Sequence, residues 1–285
     1  MSIAPPARSR APHAHRSALS RSFGTPMPAL SIEPNERVTF GIVHEDDDLL
    51  VVRKPPGVVT QPGVGHEHDT LLNGLFARYG ARLQQLGQKR DFGLVHRLDR
   101  ETSGLVIVAL SATAYDGLCA AFAAREISKY YWALCHKAPR ESSGVIKRAI
   151  LEEERRKDRY TAEKRGVLSS KGKPAVTAYR VLEASPLGAL IEARPVTGRL
   201  HQVRLHLDSI GAGILGDKLY GPTRTNSASH RLALHAHRIA FDHPVSAGRV
   251  DVRTAFPKDL RRVLRALELG RPDLADQDST DDAEA

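Results

Sequence analysis

The residue types best suited to chemistry stand in one short segment, His96-Arg97-Leu98-Asp99-Arg100-Glu101-Thr102-Ser103-Gly104. An apolar, β-branched run over 105–110 follows directly, and it predicts a strand buried on both faces. Asp99 then lies in a polar turn at the edge of a buried strand, where a carboxylate is held rigidly yet stays open to a ligand. The turn either serves a ligand in this way or is an Asx-turn that only leads into a core strand.

Histidine pairs suggest a second kind of chemistry, because the chain holds 13 histidines and imidazole is a common zinc ligand. The pairs are His201 with His206 and His235 with His237. Five residues of helix turn the first two rings away from each other. The second two share one face of a strand, with no third ligand near them in the sequence. A metal-dependent hydrolase is therefore only a rival hypothesis, and we predict no metal site.

The segment 196–210 predicts a helix. Helical spacing relates the apolar residues Leu200, Val203, Leu207 and Ile210, so one face of this helix packs into the core. Thr197 is a candidate N-cap. Arg204 lies one turn after Leu200, and an arginine on a helix is usually solvated.

The other elements alternate irregularly between strands and helices. A helix is expected to begin after Asp69 or Thr70 and to end at Gly80. In the strand 129–134, alternation sends the rings of Tyr130 and Tyr131 to opposite faces, so only one can line a site. The charged segment 140–174 predicts an extended hairpin or a flexible loop. This order predicts an α+β fold with a mixed, largely antiparallel central sheet flanked by helices.

The charge distribution indicates a polyanionic partner. The formal net charge is +9, and the sequence pI is about 9.7. Residues 1–30 hold four arginines and no acid, whereas 271–285 hold one arginine against six acids. The segment between them is therefore itself basic. We predict a disordered basic arm over 1–36, a catalytic domain over 37–270 and a disordered acidic tail over 271–285.

Cysteine usage and hydropathy restrict the compartment. Cys119 and Cys135 form no metal or disulfide pattern, which favours a reduced cytoplasmic protein. No apolar run approaches the roughly 18 residues of a membrane-spanning helix. We therefore expect a cytoplasmic protein without a membrane partner, and a monomer.

Several motifs over roughly residues 40–260 resemble, in the same order, those of the RluA-type RNA pseudouridine synthases. The segment 96–104 matches His-Arg-Leu-Asp-x-x-Thr-Ser-Gly, and 198–204 matches Gly-Arg-x-His-Gln-hydrophobic-Arg. Shorter matches are a Lys-Pro-x-Gly element at Lys54, a basic-x-Tyr-x-Ala element at Tyr131 and Arg-Leu-x-Leu-His-Ala at 231–236. The segment 211–221 resembles Gly-His-Pro-Ile-Leu-Gly-Asp-x-x-Tyr-Gly, with Ala212 and Gly213 in place of the His and Pro.

The resemblance implies a two-lobed sheet with a central catalytic cleft and an enzyme that isomerises uridines in ribosomal or transfer RNA. It makes Asp99 the catalytic carboxylate, Arg204 its ion-pair partner and Tyr131 a ring that stacks on the uracil. The substrate-binding residues expected from the matched motifs are Arg97, His96, Lys54, Arg199, Gln202 and Leu234. A non-catalytic RNA-binding protein on the same fold is the alternative, although binding alone does not require Asp99, Arg204 and Tyr131 together.

The implied reaction breaks the N1–C1′ bond of uridine, turns the uracil and joins C5 to C1′. Neither redox change nor hydrolysis occurs, so we predict no cofactor. A carboxylate is needed near C1′, but no second one that activates water. Glu101 would point away from Asp99 in an extended segment, so no acid partner is expected beside it. The base must be flipped out of folded RNA at a cost of about a few kcal/mol, and Arg97 can fill the vacated space.

Overall fold

The computed structural model describes residues 30–156, 162–221 and 229–273, together with Met1. Most of the expected basic arm and nearly all of the expected acidic tail lie outside these residues, so their disorder stays a prediction. The described chain forms one large sheet, a separate two-stranded sheet and four α-helices. The helices are α1 (Leu71–Leu86), α2 (Ala112–Ala124), α3 (Gln202–Ser209) and α4 (Arg261–Ala266).

The sheet is mixed and almost entirely antiparallel. Its strands and those of the small sheet are β1 (Gly41–Glu45), β2 (Leu49–Lys54), β3 (Ser103–Ala109), β4 (Ser128–Cys135), β5 (Ser143–Lys147), β6 (Ile150–Arg156), β7 (Ala162–Leu168), β8 (Val176–Ser185), β9 (Gly188–Pro195), β10 (Leu234–Asp242) and β11 (Arg249–Arg253). The order is β1-β2-β3-β10-β4-β9-β8-β5, with β11 also paired to β10. Among the described strands, only β3 and β10 pair in parallel. The predicted α+β fold is confirmed, and the two expected lobes are halves of one continuous sheet.

Strand β3 forms the centre of the core, as its apolar run predicts. Every residue of β3 is buried, and its side chains alternate between two clusters on opposite faces of the sheet. Val106 and Val108 join the larger cluster with α1, whereas Leu105 and Ile107 join the cluster against α2. Burying such a side chain stabilises the fold by about 1.5–3 kcal/mol. The turn before β3 is therefore attached to the most tightly buried strand of the sheet.

Helix α1 is longer than the sequence predicts. Thr70 is its N-cap and forms a capping box with Asn73, but the helix runs through Gly80 to Leu86 and is capped by Gly87. A Cβ atom at Gly80 would lie 3.0 Å from Leu30 Cδ1, so glycine serves close packing there. The expected end at Gly80 is wrong, because a glycine that terminates a helix and one that admits a neighbour look alike in sequence.

Part of the expected basic arm packs on the domain. Leu30 and Ile32 contact the larger core cluster, and the backbone N–H of Asn35 donates to Asn73 O at 3.0 Å. Leu30, Ile32 and Asn35 therefore pack against the domain expected to begin at residue 37, and the boundary itself stays a prediction. The apolar residues that decide this are too few to show any periodicity.

The charged segment 140–174 is a set of strands. β5 adds to the edge of the large sheet beside β8, while β6 and β7 pair antiparallel as a separate hairpin. The inner part of this hairpin packs through Ile150 against Leu205 of α3 and against Tyr220. The hairpin thus stands beside the helix that carries Arg204.

Candidate active site

A cavity of about 300 Å³ lies where the turn before β3, strands β4 and β10, and the start of α3 meet. The predicted site residues that line it are Arg97, Asp99, Tyr131, Arg199, Gln202, Arg204 and Leu234. Two predicted residues, His96 and Lys54, lie elsewhere. Residues far apart in sequence therefore converge on one cleft, and this cleft is the candidate active site.

The central feature of the cleft is an ion pair between Asp99 and Arg204. Arg204 Nη1 lies 3.4 Å from Asp99 Oδ2, and His201 Nε2 lies 3.9 Å from the same oxygen. The side chain of Asp99 is 26% exposed, whereas that of Arg204 is 6% exposed. A carboxylate open to the cleft is thus backed by a buried guanidinium.

A second carboxylate, Asp217, holds Arg204 more closely than Asp99 does. Arg204 Nε and Nη2 donate to the two carboxylate oxygens of Asp217, both at 2.7 Å. Asp217 Oδ1 also accepts the backbone N–H groups of Leu219 and Tyr220. Burial alone would lower the pKa of the Arg204 guanidinium, but the hydrogen bonds and charge of Asp217, with the charge of Asp99, raise it. The predicted pair is in fact an Asp–Arg–Asp triad.

Of the two adjacent tyrosines, Tyr131 faces the cleft. Tyr130 lies on the opposite face, where the guanidinium groups of Arg194 and Arg238 stack on its ring at 5.6 and 5.0 Å. Burial, followed by the charge of Asp99, raises the pKa of Tyr131 above its ordinary value. Tyr131 therefore presents a neutral phenol ring to the same space as the Asp99 carboxylate.

Gln202 organises the loop that enters α3. Its Oε1 accepts the hydroxyl of Thr197 at 2.7 Å and the N–H of Arg199 at 3.1 Å, while its Nε2 donates to Val176 O. Thr197 is not the expected N-cap, because that position belongs to His201, whose φ of 53° is left-handed. Arg199 lines the cleft and donates through Nε to Pro174 O at 3.2 Å.

Lys54 is fully buried and lies outside the cleft. Its Nζ donates to the carbonyls of Pro55, Val58 and Arg100 at 3.0, 2.6 and 3.1 Å. Burial lowers the pKa of Lys54 to about 7, against the opposing effects of the Asp99 and Glu101 charges. The ammonium of Lys54 links strand β2 to the turn that carries Asp99, and the expected contact of Lys54 with substrate stays a prediction.

His96 also serves the fold. Its Nε2 accepts the backbone N–H of Ile107 at 2.9 Å, and its ring packs on Phe122. Burial and the nearby charge of Lys129 lower the pKa of His96 to about 3. The ring is therefore neutral and hydrogen-bonded to β3, and His96 does not line the cleft; its role in substrate binding stays a prediction.

Several cleft residues were not singled out from the sequence. Lys129 lines the cleft two residues before Tyr131, with its Nζ 5.2 Å from the centre of the Phe122 ring. Burial lowers the pKa of Lys129 to about 8. His201 reaches Asp99 from the start of α3. Lys129, His201 and Asp217 all belong to motifs already quoted, so their positions were usable signals, although nothing local in the sequence links Asp217 to Arg204.

The histidine pairs do not form a metal site. Within the described residues, no group of three or more His, Cys, Asp or Glu side chains could hold a metal ion. His206 contacts Thr177 Oγ1 and Arg148 O, each at 2.9 Å. His235 contacts Ser103 and Thr254, and His237 lies 3.2 Å from Glu192.

Among the helices that the structure describes, none combines the length and the hydropathy of a membrane-spanning segment.

Comparison with known proteins gives one consistent result. A family described as RNA pseudouridylate synthase matches residues 48–209. The ribosomal large subunit pseudouridine synthase D of Zymomonas mobilis is 36% identical over 252 residues, which cover 85% of this chain and 77% of that protein. The Neisseria meningitidis protein of the same name is 35% identical over 82% of this chain and 63% of that protein.

The solved structures agree with the sequence relatives. Human RNA pseudouridylate synthase domain containing 4 superposes with a TM-score of 0.63 at 26% identity, covering 81% of this chain and 94% of that one. Human RNA pseudouridylate synthase domain containing 1 gives a TM-score of 0.59, also at 26% identity, over 84% and 99% of the two chains. Similarity therefore extends over the sheet, the cleft and the helices around it.

Proposed function

Because the chain belongs to the RNA pseudouridylate synthase family, we propose that it converts uridines of large-subunit ribosomal RNA to pseudouridine with Asp99 as the catalytic carboxylate. Membership of that family makes the chain an RNA-modifying isomerase, as the sequence resemblance predicts. The choice of ribosomal RNA rests on the names of the relatives. Transfer RNA is the other candidate substrate.

The observation that carries the proposal is the partly exposed Asp99 carboxylate backed by buried Arg204. The reaction breaks the N1–C1′ bond and forms a C5–C1′ bond, so it needs a carboxylate at the sugar and neither water nor a cofactor. When RNA covers the cleft, Asp99 loses water, and the Arg204 charge offsets that loss. The uracil loses the hydrogen of C5 and gains one at N1, so the overall change is an isomerisation and Asp99 ends as the carboxylate it was at the start.

The state of Asp217 favours isomerisation over hydrolysis. A hydrolase that inverts a glycosidic centre needs a second carboxylate free to activate water. Both oxygens of Asp217 are held by Arg204, and one also accepts two backbone N–H groups. Its side chain is only 2% exposed. Asp217 therefore supports Arg204 and is not available as a base.

The remaining cleft residues fit a flipped uridine. Tyr131 offers a buried aromatic face, and stacking of a base on such a ring contributes about 1–3 kcal/mol. Leu234 adds an apolar wall, while Arg97 lies exposed at the edge of the cleft. We assign Arg97 to the space that the base vacates in the RNA, and Arg199 to a phosphate beside it.

The test compares wild-type protein with Asp99→Asn on two transcripts, one of large-subunit ribosomal RNA and one of transfer RNA. We expect pseudouridine in the ribosomal transcript with wild type and none with Asp99→Asn, although both bind it equally. Asp116→Asn is the matched control, because Asp116 is an exposed aspartate that pairs with Arg90 at 3.0 Å away from the cleft. Equal turnover by Asp99→Asn would overturn the assignment, and RNA binding without turnover by wild type would favour the non-catalytic alternative.

We also propose that the protein works in the cytoplasm as a monomer. Cys119 and Cys135 are both free, and Cys135 is buried, which suits a reducing compartment. Light scattering of the purified full chain at several concentrations tests the monomer, and fractionation of cells tests the compartment. A concentration-independent dimer mass would contradict the first statement.

A further inference from the structure

A second cavity, of about 540 Å³, lies directly behind the active site. Consecutive residues of a strand point to opposite faces of a sheet. Leu234 lines the catalytic cleft and His235 lines this rear cavity; in the same way, Thr102 lines the cleft and Ser103 the rear cavity. One layer of sheet therefore separates the two cavities.

The rear cavity is rich in cations that have no acidic partner. Arg53, Lys258 and Arg261 line it, and among the described residues no carboxylate lies within 4.0 Å of their charged groups. Its one acidic lining residue, Asp259, is already held by Arg231 at 2.5 and 3.1 Å. The Nε of Arg261 is buried with no hydrogen-bond acceptor in the described part of the chain. Buried donors normally have acceptors, so this one indicates a ligand oxygen.

At the floor of the cavity, in contrast, both ring nitrogens of His235 have hydrogen-bond partners. His235 Nδ1 lies 2.8 Å from Ser103 Oγ, and its Nε2 lies 2.7 Å from Thr254 Oγ1. The wall beside the cations includes the half-buried ring of Phe40. The cavity thus combines unpaired positive charge with an apolar wall. Arginine and lysine in this state suit phosphate oxygens, and the wall suits a sugar or a base.

We propose that the rear cavity binds a phosphate of the RNA strand that flanks the target uridine. This inference rests on the proposed RNA substrate but concerns a separate surface. β2 ends at Lys54, while β3 and β10 begin at Ser103 and Leu234. These three strand ends lie side by side at one end of the sheet. Both cavities lie at this end. An RNA strand that leaves the cleft over this end reaches the cations behind it.

The experiment measures RNA affinity as a function of KCl concentration. The double variant Lys258→Ala/Arg261→Ala removes two cations of the rear cavity, and Arg262→Ala/Arg265→Ala removes two exposed cations nearby that do not line it. Each lost phosphate contact lowers the slope of log K against log salt by about 0.7–0.9. We expect the cavity variant to bind more weakly, with a slope smaller by about one to two, and the control to stay near wild type.

Equal losses of RNA affinity and of salt slope in both double variants would overturn the proposal, because they would reflect only the lower net positive charge. Lys258→Ala alone is the safeguard against a folding defect, because Lys258 is exposed; we expect its slope to fall by about one contact. Inorganic phosphate is titrated in parallel by thermal shift. If phosphate stabilises wild type but the RNA slopes of wild type and cavity variant agree, the cavity takes a small phosphorylated molecule and the RNA assignment is wrong.

A further measurement separates this proposal from the proposed function. The rate of pseudouridine formation in a single turnover at saturating RNA should be unchanged in the cavity variant, because no catalytic residue is altered. If wild type forms no pseudouridine, the proposed function fails, while the salt slopes still decide the rear site. A lower saturated rate with an unchanged slope would overturn the phosphate site.

Discussion

Arg204 is shared by two carboxylates of different exposure. Its Nε and Nη2 are fixed on Asp217, and only Nη1 is turned toward Asp99. A planar guanidinium can make these three contacts at once, whereas the ammonium of lysine is a single point charge. The orientation of the positive charge behind Asp99 therefore depends on Asp217, a residue that touches no substrate in this arrangement.

The first prediction concerns Asp217→Asn. The amide keeps one acceptor but turns a donor toward Arg204, so the guanidinium loses a charge-assisted bond. Breaking a buried ion pair costs about 3–5 kcal/mol, and we expect the amide to lose about 3 kcal/mol in the free energy of unfolding. Turnover should fall by roughly tenfold or more while RNA affinity stays unchanged. Denaturant unfolding and single-turnover rates measure the two effects; an unchanged rate would exclude a positioning role for Asp217.

The second prediction concerns Arg204→Lys. Lysine would keep a positive charge behind Asp99, so charge alone would predict that part of the activity is recovered. The triad reverses this expectation, since one ammonium cannot replace the fork on Asp217 and also reach Asp99. We expect Arg204→Lys to be close to Arg204→Ala in turnover, with both at least about 100-fold below wild type. If Arg204→Lys kept half of the wild-type activity, the geometry of the guanidinium between Asp217 and Asp99 would be unimportant.

At the scale of elements, the β6–β7 hairpin is tied to the active site through Tyr220. Its hydroxyl accepts the N–H of Gly166 in β7 at 3.1 Å and donates to Gly166 O at 3.0 Å. Because its one proton is used there, the contact of 2.9 Å with His201 Nδ1 is a hydrogen bond donated by the histidine. His201 in turn faces Asp99. Hairpin, helix α3 and catalytic turn are thus joined by two side chains.

The third prediction is that Tyr220→Phe loosens this connection. Removal of the hydroxyl leaves buried backbone groups of Gly166 unpaired, which costs about 1–3 kcal/mol in the free energy of unfolding. We expect kcat/KM to fall several-fold because His201 loses its anchor. Tyr115→Phe is the matched control, since its hydroxyl bonds Asp91 at 3.0 Å on the surface. Hydrogen exchange of β7 amides should rise only in Tyr220→Phe; equal exchange in both variants would contradict the link.

The fourth prediction concerns the segment 30–36. Asn73 Nδ2 donates to Glu33 O at 2.9 Å, and Leu30 and Ile32 pack on the core. Deleting 2–29 should leave the free energy of unfolding unchanged. Deleting 2–36 should lower it by about 3 kcal/mol, because partly buried apolar side chains and their hydrogen bonds are lost. Urea unfolding of the two truncations distinguishes them, and equal stability would place the boundary at 36/37 after all.

At the scale of the whole molecule, buried neutral histidines make stability depend on pH. Burial, aided by nearby positive charge, lowers the pKa of both His96 and His235 to about 3. The unfolded chain binds protons at these rings near pH 6.5, but the folded chain does not. Their contribution is therefore complete above about pH 6.5 and is lost as the pH falls toward 3.

The fifth prediction concerns this loss of stability at low pH. Between pH 6 and pH 4, each histidine should reduce the free energy of unfolding by up to about 1.4 kcal/mol per pH unit. His235→Asn should be less stable at pH 7 but should show a shallower decline on acidification. His66→Gln, a change outside the core, should decline as wild type does. If the free energies of unfolding of wild type and His235→Asn fell in parallel from pH 6 to 4, the prediction would be contradicted.

The sequence alone determined those features that depend on neighbouring residues. Strand β3 and its polar turn follow from a local apolar run after a polar segment. The opposite facing of Tyr130 and Tyr131 follows from the two-residue period of a strand. The α+β class follows from the order of such elements, and the family follows from motifs that are contiguous in the chain. Each single element or motif can be read within a short window of the sequence.

Tertiary structure decided the features that join distant residues. Asp217 and Arg204 are neighbours because a loop after α3 folds back, and Lys54 is buried because its Nζ meets the carbonyl of Arg100 in the turn before β3. An isolated lysine or aspartate looks solvated in a sequence, since its hydration outweighs any local contact. Only when the fold supplies several acceptors at once does burial become favourable. Sequence therefore named the candidate catalytic carboxylate, while packing decided which charges support it from behind.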